Sequence, residues 1–230
     1  MNRKITNKIN WFLDNIIPPL LRDNKFFMFP FLWIIFRDKT KHIMEFKKHS
    51  FMLTSNDFVN VYKETKDRHI KRETDLNEEC VDYLLSNLSG NSVLDIACGD
   101  GYLCRKIKGL IPVAEVVGGD IITPSSKSMG IQYIETNLES TPFENDQFDT
   151  VICAHTLEHV VNIDKAILEL RRIARNKLII VLPKQRNYLF TFDLHIHFFP
   201  YKHDVINLLR PEGNYEITLV GGDWVYYETY

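Results

Sequence analysis

Hydrophobic and polar residues repeat with two different periods along most of the chain, and each period predicts a different kind of element. Short apolar runs bounded by turn residues predict strands, whereas apolar residues spaced three and four apart predict helices. Strands are predicted at 92–97, 115–119, 131–135, 148–154, 177–182, 215–220 and 223–228, and helices at 102–107, 163–174 and 204–209. A further helix is predicted from Thr74 or Asp75 as its N-cap to Gly90 as its C-cap.

This alternation of strands and helices predicts an α/β fold. We expect a doubly wound, mainly parallel seven-stranded sheet with a helical N-terminal extension. In such sheets a ligand binds beyond the carboxyl ends of the strands, at the point where the strand order reverses. The texture of the sequence changes near Asp57, so we place the extension at 1–56 and the α/β domain at 57–230.

The predicted extension is basic and rich in aromatic residues. Up to Ser50 it holds ten basic residues against four acidic ones. Its longest apolar run, from Phe26 to Phe36, is shorter than the about 20 residues that cross a bilayer, and Pro30 interrupts it. No small-residue cleavage site follows, which argues against a signal peptide. Two interpretations stay open: a segment lying on an anionic membrane surface, or a helical cap or subunit contact.

Composition narrows the setting in which this chain works. Its 230 residues suffice for one α/β domain with an appendage. The four cysteines form no Cys-x-x-Cys pair, which favours a reducing compartment, so the expected location is the cytoplasm, with membrane association through the front segment. A net charge of -2 and a pI of about 6.4 do not favour nucleic acid as a partner.

The most specific chemistry lies in the turn after the first predicted strand, Asp95-Ile96-Ala97-Cys98-Gly99-Asp100-Gly101. Glycines let a backbone bend sharply and approach a ligand. Cys104 replaces the third glycine of a dinucleotide fingerprint, and the Gly-Lys-Ser/Thr of a phosphate-binding loop is absent from the sequence. Asp95 and Asp100 would repel a pyrophosphate but suit a ligand with an ammonium and a sulfonium, such as S-adenosylmethionine (SAM). Asp120 ends the next strand about 20 residues on, where an acidic side chain can accept hydrogen bonds from ribose hydroxyls.

These segments resemble a known family. Val93 to Leu103, Asp120, 137–143, Phe148-Asp149 and 157–160 are similar to the successive motifs of class I SAM-dependent methyltransferases, in the branch that includes ubiquinone-biosynthesis O-methyltransferases. The resemblance covers 76–230 and implies SAM as the cofactor. The contacts that it implies are Asp95, Ala97, Gly99, Asp100, Gly101, Asp120, Ile121, Asn137, Leu138 and His155. Asn137 stands where the family usually has Asp.

Histidines and a glutamate that follow later strands are the candidate catalytic residues: His155, Glu158, His159, His195 and His197. We expect them on the cofactor side of the sheet, where a hydroxyl acceptor has to be aligned and to lose its proton. The first four resemble the metal-binding set of plant small-RNA 2′-O-methyltransferases, with His155 in place of a glutamate. Three interpretations stay open: a divalent metal site, a metal-free His or Glu base, and residues that only shape the pocket. Ligation rich in imidazole would favour a transition metal over magnesium.

The sequence as a whole predicts a SAM-dependent methyltransferase that O-methylates a small hydroxylated acceptor, such as a sugar, a lipid-linked glycan or a quinone-like lipid. The expected partners are that small-molecule or lipid-linked acceptor and an anionic membrane surface, rather than nucleic acid. Two alternatives stay open: a catalytically silent SAM-binding scaffold subunit, and an RNA 2′-O-methyltransferase.

Overall fold

The computed structural model describes residues 11–55, 57–58, 60, 73–112, 114–124, 128 and 130–230. These residues divide into two compact units. Unit 1 takes in the described residues of Met1–Arg72, Glu158–Val161 and Gln185–Pro200, and unit 2 takes in those of Glu73–Leu157, Asn162–Lys184 and Tyr201–Tyr230. Two segments from the second half of the sequence therefore belong to the same unit as the front segment. The boundary that we placed between 56 and 57 stays a prediction, and the basic residues Arg3, Lys4 and Lys8 lie outside the described residues.

Unit 1 is helical. Among its described residues, three helices are α1 (Pro19–Arg22), α2 (Lys25–Phe36) and α3 (Thr40–His49). The Asn24 side chain caps α2 by accepting from the backbone N–H groups of Phe26 and Phe27. Pro30 lies inside α2, and the helix continues past it to Phe36. No helix among the described residues is both long and apolar enough to cross a membrane.

Two small apolar clusters hold unit 1 together, and each combines the front segment with the 185–200 connection. The first contains Met28 and Leu32 of α2, Met44 of α3 and Phe190. The second contains Phe46, Phe58 and Leu194. Because α2 buries few of its side chains, most of its large apolar residues are left exposed: Phe26, Phe29, Phe31, Trp33, Ile34 and Ile35.

Unit 2 is built on one seven-stranded sheet. Its strands are β1 (Ser92–Ile96), β2 (Glu115–Asp120), β3 (Ile131–Glu135), β4 (Phe148–Ala154), β5 (Ala174–Pro183), β6 (Asn214–Val220) and β7 (Asp223–Thr229). They are ordered β3-β2-β1-β4-β5-β7-β6, and β7 alone among them runs antiparallel to its neighbours. The predicted doubly wound, mainly parallel sheet is therefore confirmed. The order reverses between β1 and β4, which places the expected ligand crevice at their carboxyl ends.

Four helices accompany this sheet: α4 (Glu78–Ser86), α5 (Tyr102–Leu110), α6 (Ile163–Ile173) and α7 (Lys202–Leu209). The apolar faces of α4 and α5 join the buried faces of β1, β2 and β4 in one core cluster, which includes Leu84, Ile107, Val93, Val116 and Ile152. Burial of these faces fixes the strand ends that carry the candidate ligand residues.

The predicted caps of α4 were wrong. The N-cap is Asn77, whose side chain accepts from the Cys80 N–H at 2.8 Å, and the C-cap is Asn87. Asn77 also donates to the carbonyl of Gly221, a long-range contact that local sequence patterns do not reveal. Thr74 instead accepts from the N–H of Leu76 in a turn before the helix.

Candidate active site

The turn after β1 has the left-handed backbone that its glycines predict. Gly99 and Gly101 have φ angles of +55° and +74°. A Cβ atom at Gly101 would lie 2.3 Å from the Tyr133 hydroxyl oxygen, so a side chain there would force Tyr133 to move. A Cβ atom at Gly99 would meet no atom within 4 Å, so the backbone at this point is open to a ligand.

Two residues with side chains share this uncommon backbone at neighbouring strand ends. Ala97 follows β1 with φ +60°, and His155 follows β4 with φ +50°. Such conformations cost about 1 kcal/mol or more and cluster at ligand sites. Because β1 and β4 are parallel neighbours, both residues lie at the edge where the strand order reverses.

The Asp120 carboxylate at the end of β2 orders the glycine turn. One of its oxygens accepts from the Gly99 N–H at 2.8 Å, and the other accepts from the Ile122 N–H at 2.9 Å. Charge-assisted bonds of this kind are stronger than those between neutral groups. Asp120 thus joins the turn after β1 to the loop after β2, where Ile121 is half-buried.

Asp95 is the buried acid of the same turn, with 4% of its surface exposed. Its carboxylate accepts a hydrogen bond from the Cys104 thiol at 3.4 Å. Burial, aided by the nearby negative charge of Asp120, raises the pKa of the Asp95 carboxyl to about 7. A cationic ligand group bound here would favour the ionised carboxylate.

The remaining predicted cofactor contacts lie at the same edge of the sheet. Asp100 is exposed, and its carbonyl accepts from Arg105. Asn137, after β3, uses its side-chain oxygen to accept from the Glu139 N–H at 2.9 Å, while Leu138 is buried. The Asn137 amide group therefore shapes the loop locally.

These features fit SAM. The open backbone at Gly99 is a cradle that a side chain would fill, and the carboxylate of Asp120 accepts from its N–H while the buried carboxylate of Asp95 lies in the same turn. Asp120 stands at the strand end where a ribose is expected, and Asp95 offers a carboxylate to an ammonium group. This donor set favours a cationic nucleoside over a pyrophosphate.

His155 lies in unit 2, with its imidazole beside Asp223 of β7. Its Nε2 is 3.3 Å from the Asp223 carboxylate, which is also buried, and its backbone N–H donates to the carbonyl of Val181. The structure thus gives His155 a partner that differs from those of the other predicted catalytic residues.

Unit 1 brings together three of the predicted residues. Among the described residues, Glu158, His159 and His195 each offer a ligand atom within 4.8 Å of the others. Glu158 has no exposed surface, and His195 is buried as well. The two imidazole rings meet edge to face with centroids 4.7 Å apart.

The 185–200 connection holds this group in place. Backbone N–H groups of Ile196 and His197 donate to the Glu158 carbonyl at 2.8 and 3.1 Å. His159 Nδ1 lies 3.1 Å from the carbonyl oxygen of Leu194, and His195 Nδ1 lies 2.5 Å from Oε1 of Gln185. Burial and the neighbouring His195 lower the pKa of His159, so its imidazole is neutral at neutral pH.

His197 is not part of that group. Its Nε2 lies 2.9 Å from the carbonyl oxygen of Val160, which accepts a hydrogen bond from that nitrogen. Among the described residues, Glu158, His159 and His195 therefore form one group, His197 contacts a backbone carbonyl, and His155 contacts Asp223.

Several polar residues that contact the candidate histidines or their neighbours are not predicted from the sequence. Asp223 and Gln185 contact candidate histidines, and Asp193 accepts from the Gln185 amide. Lys47 of α3 donates to Asn187 and Tyr188 and lies 3.8 Å from the Phe198 ring centre, and burial lowers its pKa to about 8. No local pattern distinguishes these residues from surface polar residues, because their partners are distant in sequence.

Comparison with known proteins finds a match for the central part of the chain. Residues 94–182 match a family described as a methyltransferase domain. A ubiquinone/menaquinone biosynthesis C-methyltransferase, UbiE, from Hahella chejuensis is 35% identical over 100 residues, which cover 38% of this chain and 40% of that protein. The match thus spans about two fifths of the length of this curated relative.

Solved structures share the fold at low sequence identity. A SAM-dependent methyltransferase from Aquifex aeolicus superposes with a TM-score of 0.53 at 13% identity, over 76% of this chain and 98% of that one. A SAM-dependent methyltransferase from Thermotoga maritima gives 0.51 at 19% identity, over 82% and 98%.

The sheet order and the glycine turn define a Rossmann-like fold. The match of residues 94–182 to a methyltransferase domain agrees with the resemblance to class I SAM-dependent methyltransferases. The named relative methylates carbon, whereas the resemblance implied oxygen as the methylated atom.

Proposed function

We propose that this chain transfers the methyl group of SAM to a hydroxyl oxygen of a small acceptor. The observation that carries the proposal is the turn after β1, whose open Gly99 backbone is ordered by the Asp120 carboxylate. That turn lies within the segment that matches the methyltransferase domain family.

SAM supplies a methyl group that its sulfonium already activates. The protein has to align the acceptor oxygen with that methyl group and to take up the hydroxyl proton. In the transfer an O–C bond forms, the S–C bond breaks, and S-adenosylhomocysteine leaves. We assign the removal of the acceptor's proton to Glu158, His159 and His195, which would act either as a base or as ligands of an ion that makes the hydroxyl more acidic, since they combine a carboxylate with an imidazole held neutral by burial.

The acceptor that we favour is a lipid-associated molecule, with a quinone-like lipid or a lipid-linked glycan ahead of a free sugar. Exposed apolar side chains along α2, followed by Arg37, Lys39 and Lys41, support contact with an anionic lipid surface. The named role of the Hahella chejuensis relative, in quinone biosynthesis, supports a quinone-like acceptor.

Carbon methylation is the second candidate, because the same relative is a C-methyltransferase. The two reactions need different acceptors. A ring carbon attacks the methyl group directly and loses its proton afterwards, whereas an alkyl hydroxyl needs a base at the start.

The test is mass spectrometry of lipid and glycan extracts after incubation of the full chain with SAM carrying an isotopically labelled methyl group. We expect a labelled product whose methyl group is lost on ether cleavage, together with S-adenosylhomocysteine. A label that survives ether cleavage would establish carbon methylation instead. Binding of S-adenosylhomocysteine without any labelled product in either extract would support the scaffold alternative and overturn the proposed transfer.

A further inference from the structure

We propose that Glu158, His159 and His195 form a binding site for one divalent transition-metal ion of the zinc class. Two imidazoles and one carboxylate are a donor set that such ions favour over magnesium, which prefers oxygen ligands. The three ligand atoms belong to one compact unit and lie within 4.8 Å of one another.

The tautomers of both histidines suit metal binding. Carbonyl oxygens only accept hydrogen bonds, so the protons of His159 and His195 lie on the Nδ1 atoms that face Leu194 and Gln185. Each Nε2 then carries a lone pair. Metal-bound histidines commonly have their second nitrogen fixed in this way by a carbonyl or carboxylate.

The orientation of the Gln185 amide is fixed in turn by Asp193. Its Nε2 donates to the Asp193 carboxylate at 3.2 Å, so its oxygen has to face His195. This chain of contacts fixes which imidazole nitrogen of His195 is available to an ion.

Distances within the group favour shared ligation over a direct hydrogen bond. His195 Nε2 lies 3.9 Å from Oε1 of Glu158, which is too long for a hydrogen bond. Two ligands about 2.1 Å from one tetrahedral ion lie about 3.4 Å apart, so a small side-chain rotation would complete the site. An ion would also bring positive charge to a carboxylate that has no exposed surface.

The experiment titrates Zn²⁺ into the chelator-treated full chain against a chromophoric chelator, with metal content measured in parallel. We expect one Zn²⁺ per chain and Co²⁺ absorption bands typical of nitrogen and oxygen ligation, with no displacement by millimolar Mg²⁺. His195→Ala and Glu158→Gln should each weaken Zn²⁺ binding at least tenfold. Gln185→Ala, which leaves all three ligands in place, should weaken it about tenfold to a hundredfold.

His197→Ala is the matched control, since His197 lies in the same connection but its Nε2 donates a hydrogen bond to the Val160 carbonyl. It should retain the bound ion. Binding of S-adenosylhomocysteine by each variant reports whether the chain still folds. Loss of Zn²⁺ binding alone would concern the metal site, whereas absence of S-adenosylhomocysteine binding in the intact protein would concern the proposed methyl transfer. Absence of Zn²⁺ binding by the folded protein, or equal binding by His195→Ala, would overturn the metal site and leave a metal-free base.

Discussion

At the scale of single residues, the two carboxylate oxygens of Asp120 bind the turn after β1 and the loop after β2. Asp120→Ala should weaken binding of S-adenosylhomocysteine by roughly 1.5 to 3 kcal/mol, since both the turn and the ribose lose a charged acceptor. Calorimetry measures this loss. Asp120→Asn, which keeps one acceptor oxygen, should lose less, and equal affinity in all three proteins would exclude Asp120 from the site.

Asp95 makes stability and affinity respond to pH in opposite directions. Its pKa is raised from the ordinary 3.8 to about 7, so the folded state holds a proton that the unfolded state releases, and stability falls as pH rises from about 4 to about 7. Affinity for a ligand ammonium should rise over the same range, because that ligand favours the carboxylate. Asp95→Asn should flatten both profiles and stabilise the free protein at pH 8 by roughly 1 to 3 kcal/mol. Urea unfolding and calorimetry from pH 4 to 8 test this, and an unchanged pH profile in the variant contradicts it.

Gly101 and Gly109 form a natural pair for testing the glycine turn. Gly101→Ala adds a Cβ atom against Tyr133 at φ +74°, and should cost about 1 to 3 kcal/mol of stability. Gly109 lies within α5, where an added Cβ atom would meet nothing within 4 Å outside the helix's own backbone, so Gly109→Ala should stabilise by about 0.5 to 1 kcal/mol. Thermal unfolding of both variants measures these changes in stability. Opposite signs would show that the backbone geometry at Gly101, rather than the loss of a glycine as such, causes the destabilisation.

At the scale of elements, α2 exposes large apolar side chains that could bind a partner surface. Phe26 is 86% exposed and Ile34 63% exposed, and basic residues follow the helix. We expect the protein to float with anionic liposomes at low salt and to lose most of that binding in Phe26→Ser/Ile34→Ser, since each buried apolar side chain contributes about 1.5 to 3 kcal/mol. Leu168→Ser, which removes an equally exposed leucine from α6 in unit 2, is the control. Protein that stays in solution with these liposomes would favour a cap or subunit contact for α2.

Several element boundaries were predicted well from the hydrophobic period. Strands β3 and β4 begin and end at the predicted residues, and α6 begins at the predicted residue, Ile163. The predicted start of α4 was wrong, because Asn77 rather than Thr74 is its N-cap. The Asn77 side chain also contacts Gly221, which is distant in the sequence. A cap that uses a distant carbonyl cannot be found from local propensity.

At the scale of the whole molecule, net charge argues against nucleic acid. A chain with a charge of -2 and acidic residues at its candidate ligand turn gains little from phosphate contacts. We expect no shift of a short RNA in a gel at about 0.15 M salt. A salt-sensitive shift would instead support the RNA 2′-O-methyltransferase alternative.

The sequence alone determined the sheet class, the glycine turn and the acid at the end of β2, because hydrophobic period and glycine placement are local properties. Tertiary structure decided the rest. In the folded protein, His155 contacts Asp223, and Glu158 lies close to His159 and His195. The 185–200 connection belongs to the same unit as the front segment. Those pairings join residues far apart in the chain, and their energies depend on burial and distance, which only the folded arrangement supplies.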